Sequence, residues 1–201
     1  MLILLVHGLG RTPLSLFGLA SALRRAGHHT RFFAYSPTFE MLPRIIRRLS
    51  HRLRSLAKTN QSVGLVGHSL GGLLLRLALD QVPGLQVHHF VMLGTPNKGS
   101  RMARLASRWR PFRLLTRDCG RFLVASDEFA HLPPILVPTT VIAGTAGPRG
   151  RFSPFGDEVN DGLVLVTEAA VENAELIRLP VLHTFMMDSP AVQERVLAAF
   201  R

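Results

Sequence analysis

The chain has 201 residues, 47% hydrophobic and 18% charged, which is one domain's length and too apolar for a disordered or fibrous chain. Its formal net charge is +11, from 24 Lys and Arg against 13 Asp and Glu. A single cysteine, Cys119, excludes an internal disulfide and any cysteine-based metal cluster. No apolar run approaches the ~20 residues of a membrane helix.

The first residues, Met1 to Val6, are apolar but lack a basic leader and stop at His7. They predict a buried strand over 2–6 rather than a signal peptide, and with it a cytoplasmic location, or a secreted or periplasmic one if an upstream leader has been removed. Further strands are predicted over 30–34, 62–66, 87–93, 139–143 and 175–179. Helices are predicted over 14–26, 41–58, 70–81 and 190–200, with several short ones inside 101–131. The helix from Met41 carries Ile45, Ile46, Leu49, Leu53 and Leu56 on one face and arginines on the other. Strands alternating with helices, the strands rich in Val and Leu, predict a parallel sheet covered on both faces.

Two stretches break this rhythm. Residues 101–131 exceed a simple crossover and read as a cap-like helical insertion within one domain spanning 1–201. Residues 144–162 are rich in Gly and Pro and read as a loop. Ligands of open parallel sheets sit at the carboxyl ends of the strands, so both stretches are expected to border the site.

The basic residues are almost all arginine, with only Lys58 and Lys98 as lysines, and they concentrate in 44–58 and 101–121. Solvated helix faces are the first reading of these runs, and attraction to an anionic membrane or lipid interface the second. Nucleic acid ranks last, because no aromatic residues interleave with the basic ones as a stacking platform requires.

The chemistry centres on Gly67-His68-Ser69-Leu70-Gly71, preceded by an apolar strand and followed by an amphipathic helix. This is the setting of a nucleophile elbow. Gly67 and Gly71 are required because side chains there would strike neighbouring backbone. Ser69 would then sit in a strained turn at a helix N-terminus, whose dipole favours developing negative charge.

A serine hydroxyl needs a base, an orienting acid and oxyanion donors. His7-Gly8-Leu9-Gly10 ends the first strand, and the backbone N–H groups of Leu9 and Leu70 are the candidate donors. His183 follows the last strand and is the candidate base. His131 abuts Pro133-Pro134, His88 and His89 lie within a strand, and His68 points off the elbow. Candidate acids in the loop after 139–143 are Asp161, Asp157 and Glu158. Asp161 is favoured because it opens the Gly162-Leu163-Val164 element, and an Asp–Gly turn is its plainer explanation. No cofactor and no metal-ligand set is read from the sequence.

These motifs, together with Gly94-Thr95-Pro96-Asn97-Lys98-Gly99-Ser100 and Asn160-Asp161-Gly162-Leu163-Val164, resemble the small bacterial lipases and carboxylesterases of the α/β-hydrolase superfamily. The resemblance implies a minimal α/β-hydrolase fold of about six mostly parallel strands, with a lid-like insertion after the strand ending near Leu93. It also implies a Ser69, His183 and Asp161 triad that cleaves carboxylic esters through an acyl-enzyme, and a small-molecule or lipid ester as partner. The apolar residues Leu9, Leu14, Phe17, Leu70 and Trp109 are expected near an acyl chain. A lactonase, thioesterase, phospholipase or acyltransferase would use the same fold. The non-enzymatic alternative is a basic binding module on a hydrolase scaffold.

Overall fold

In the computed structural model, residues 1–125 and 129–201 are described. Six strands form one sheet: β1 (Leu2–Val6), β2 (His29–Phe33), β3 (Val63–His68), β4 (Val87–Leu93), β5 (Thr139–Gly144) and β6 (Glu175–Leu179). Their order is β2-β1-β3-β4-β5-β6, and every neighbouring pair is parallel. The order reverses direction beside β1, so the loops after β1 and β3 are free to face each other.

Period-two alternation sends the sides of each strand into two cores. Leu4 and Val6 of β1, with Phe90 and Met92 of β4, face one layer. Ile3 and Leu5, with Val91 and Leu93, face the other. Helices α1 (Phe17–Arg25) and α7 (Pro190–Ala199) cover the second face. Helices α2 (Leu42–Ala57) and α3 (Leu70–Asp80) cover the first. The apolar stripe expected on α2 buries Ile45, Leu49, Leu53 and Leu56, with Ile46 half-buried against the same core.

Most boundaries lie within one residue of expectation, the strand expected over 30–34 running over His29–Phe33, and three differences have identifiable reasons. The helix expected over 14–26 opens as a 3-10 turn, Pro13–Leu16, before α1 begins. Strand β3 runs two residues beyond 66, because Gly67 and His68 continue the ladder opposite Met92 and Leu93 of β4. That pairing delivers Ser69 directly from a rigid strand. Strand β5 gains Gly144, which pairs with Leu179.

The insertion holds α4 (Arg101–Ala106) and α5 (Arg110–Val124). Residues 126–128 of the expected 101–131 insertion lie outside the described residues. Helix α5 is interrupted at Arg117, whose φ is 48°. Its second half sends Cys119, Phe122 and Leu123 into the core, while its first half leaves Leu114 and Leu115 in solvent. The short helix α6 (Val166–Ala169) follows the loop after β5.

Candidate active site

The turn from β3 to α3 is too tight for side chains on either flank of Ser69. A Cβ at Gly67 would meet the backbone of Gly72, and one at Gly71 would meet the Val6 and His7 carbonyls. Ser69 itself takes φ 53° and ψ −124°, a conformation costing a non-glycine residue about 1–3 kcal/mol. It is held there by its N–H donating to Leu93 O at 2.8 Å and by its carbonyl accepting from Gly72 N–H at 3.0 Å.

The loop after β1 closes on this turn. A Cβ on Gly8 would lie 3.0 Å from the Ser69 Cβ, so the two loops are in contact. Among the described residues, neither the Leu9 nor the Leu70 N–H has a protein acceptor. The loop's shape is set by His7. Its ring stacks on Tyr35 with centroids 4.3 Å apart, its carbonyl accepts from the Tyr35 hydroxyl at 3.0 Å, and its Nδ1–H donates to Gly8 O at 3.0 Å.

From the far end of the chain, His183 enters just past β6, in the 3-10 turn His183–Asp188. Its Nδ1–H donates to Asp161 Oδ2 at 2.7 Å, and its backbone N–H donates to Asp161 O at 2.8 Å. Asp161 is 2% exposed. Its other oxygen, Oδ1, accepts the N–H groups of Leu163 at 2.9 Å and Val164 at 2.7 Å. Bonds of this kind fix the orientation of the carboxylate. Gly94, at φ 54°, leaves room for both partners: a Cβ there would sit 2.9 Å from His183 Nδ1 and 3.0 Å from Asp161 Oδ2.

Asp157 and Glu158, the other acids considered, do not reach the imidazole. Asp157 is exposed, and Glu158 is paired with Arg101 at 2.6 Å. His88 and His89 lie on β4, away from the elbow, and His89 meets Thr140 Oγ1 at 2.9 Å.

Ser69 and His183 line one cavity of about 250 Å³. Its remaining wall is largely apolar, including Leu9, Met102, Phe112, Leu123 and Val164. Four residues expected along an acyl chain do not line it. Leu14, Phe17 and Trp109 are exposed, because composition alone does not separate surface side chains from pocket ones, and Leu70 is buried in the core.

Sequence reasoning missed two supporting residues. His68 is fully buried, and its Nε2–H donates to His183 O at 3.2 Å, with the two rings 4.8 Å apart. Burial, and then the neighbouring His183, drive its pKa well below the usual histidine value, so it is a neutral prop. Glu168 on α6 accepts the Leu165 N–H at 3.0 Å and the Arg101 N–H at 2.6 Å, and so joins the Asp161 loop to the start of α4. Burial raises its pKa. A lone carboxylate inside the apolar run 163–171 was the available signal for it.

An imidazole whose Nδ1–H is held by a carboxylate keeps Nε2 free to accept a proton. A serine on the same cavity wall, with two flanking-loop N–H groups that have no protein acceptor among the described residues, makes up the parts needed for acyl transfer.

A family model described as "Alpha/beta hydrolase" matches residues 43–111. Among solved structures, the mature lipase BlEst2 from Bacillus licheniformis is 24% identical with a TM-score of 0.78, over 98% of this chain and 90% of that one. Phospholipase PlaB from Legionella pneumophila is 17% identical with a TM-score of 0.64, over 85% of this chain and 46% of that one. The Vlm2 thioesterase domain is 17% identical with a TM-score of 0.60, over 98% of this chain and 90% of that one. No curated protein matches the chain in sequence.

Proposed function

We propose that this protein, which has the α/β-hydrolase fold, is a serine hydrolase that cleaves carboxylic esters through an acyl-enzyme. One observation carries the reading. A serine held at φ 53° shares a cavity wall with an imidazole that a buried carboxylate grips at 2.7 Å.

Ser69 Oγ attacks the ester carbonyl carbon as His183 Nε2 takes its proton. Asp161 keeps the imidazole in the Nδ1–H tautomer and offsets the charge it acquires. The carbonyl oxygen becomes an alkoxide, stabilised by the N–H groups of Leu9 and Leu70 and by the N-terminus of α3. His183 returns the proton to the leaving alcohol as the acyl–oxygen bond breaks. Water, deprotonated by the same imidazole, then attacks the acyl carbon and releases the acid and Ser69.

The apolar wall favours an acyl chain over a sugar or peptide. A cavity of about 250 Å³ lies just below the range of about 300–1,000 Å³ usual for ligand pockets, which favours short and medium chains. The test is a p-nitrophenyl ester series from acetate to palmitate, run on the native protein and on Ser69→Ala. Turnover highest at short or medium chains and lost in Ser69→Ala supports the reading. Turnover that is flat along the series and unchanged in Ser69→Ala defeats it.

A further inference from the structure

Loops that follow parallel strands all leave from the same edge of the sheet. Most of the large apolar side chains left in solvent lie on that edge. Phe39 and Met41 follow β2, Trp109, Leu114 and Leu115 lie in the insertion after β4, and Phe185 follows β6. Their exposures are high where it matters: 84% for Phe39, 74% for Trp109 and 73% for Leu114.

Hydrogen bonds make one patch of the first two groups. The Thr38 hydroxyl donates to Leu115 O at 2.7 Å, Arg117 Nη1 donates to Thr38 O at 3.3 Å, and Leu42 N–H donates to Asp118 Oδ2 at 2.5 Å. The tip of the cap is thereby tied to the loop carrying Phe39 and Met41. Exposed apolar groups brought together in this way mark a contact surface.

The same patch is strongly basic. Residues 101–125 contain seven arginines and one acid, Asp118. Arg108, Arg110 and Arg113 are exposed and sit next to or between the apolar tips. Among the described residues, none of these three has a carboxylate within 4 Å. The start of α2 continues the field with Arg44 and Arg47, beside Arg48, which pairs with Glu40, around an open groove of about 860 Å³.

We propose that this edge is a docking face for an anionic lipid surface, seated by the tip of the cap and the loop after β2. Tryptophan and leucine tips between arginines suit the boundary of a bilayer, where the apolar groups pass the headgroups and the guanidinium groups stay with the phosphates. A nucleic acid would satisfy the arginines but leave Leu114, Leu115, Phe39 and Met41 without a role. Among the described residues no helix is long and apolar enough to cross a membrane, so attachment through this face is peripheral. The Ser69 chemistry is not required for it.

Trp109 is the sole tryptophan of the chain and reports directly on the face. Its fluorescence is followed as the intact protein is titrated with vesicles of phosphatidylcholine alone, or with roughly one-third phosphatidylglycerol. The expected result is a blue shift on the anionic vesicles only, reversed by high salt. At about 1 kcal/mol per arginine near the surface, the triple variant Arg108→Ala, Arg110→Ala, Arg113→Ala binds about 100-fold more weakly, with an unchanged melting temperature. Leu114→Ser weakens binding without altering its salt dependence. The proposal is overturned by an absent shift, by equal binding to neutral vesicles, or by native-like affinity in the triple variant. Tighter binding to duplex DNA at equal salt would assign the arginines to nucleic acid. A shift that grows with protein concentration without lipid would assign the face to a second copy of the chain.

Discussion

His183 and Asp161 are joined twice, by a main-chain bond of 2.8 Å and a side-chain bond of 2.7 Å. The first fixes where the imidazole leaves the backbone, and the second fixes which nitrogen carries the proton. Position and tautomer are therefore set by one residue. Asp161→Asn keeps the shape but presents an amide that can hold the wrong tautomer. It is expected to lower kcat by about 10³-fold or more with KM little changed, measured with a soluble ester. A loss under tenfold would remove Asp161 from the mechanism.

Ser69 is strained by its own backbone, at φ 53° and ψ −124°. Glycine carries no such penalty. Ser69→Gly is expected to be inactive yet more stable than the native protein by about 1–2 kcal/mol, which raises Tm by roughly 2–8 °C. Ser69→Ala, which keeps the strain, shows no comparable gain. Differential scanning calorimetry of the two variants separates these outcomes.

Glu168 holds two N–H groups, the buried one of Leu165 and the part-buried one of Arg101. Glu168→Ala orphans both and is expected to cost about 2–4 kcal/mol. Because Arg101 opens α4, hydrogen exchange across residues 101–106 should accelerate more than exchange in the central strands. Uniform acceleration would mean that the residue serves global stability alone.

Acid should destabilise the protein through buried neutral histidines. Burial lowers the pKa of both His68 and His7. Below about pH 6.5 the unfolded chain takes up protons that these folded imidazoles refuse, so stability is full above that pH and falls as pH drops. His68 alone contributes a slope of up to about 1.4 kcal/mol per pH unit. Urea melts between pH 7.5 and 5 should show this loss, and His68→Gln should show a shallower one.

The strands were legible where an apolar run met a clear stop, as at β4 and β6, whose bounds match the expectation. They were less legible where pairing overrode local signals. Gly67 reads as a turn residue, but its position opposite Met92 keeps it in β3. The choice among Asp161, Asp157 and Glu158 depended on partners invisible to local pattern: the Leu163 and Val164 N–H groups for one, and Arg101 for another. His68 illustrates the same limit. Adjacent to Ser69 in sequence, it acts through a carbonyl 115 positions away. Trp109, expected beside an acyl chain, faces solvent instead, since apolar character gives no direction.

The proposed chemistry stands on a Ser69 hydroxyl that acts as a nucleophile activated by His183. A fluorophosphonate added to the native protein, followed by intact-mass and peptide analysis, tests it most directly. One adduct is expected, on Ser69, formed rapidly in the native protein and absent from both Ser69→Ala and His183→Ala. An unmodified Ser69, or an adduct that forms as fast without the imidazole, would contradict it.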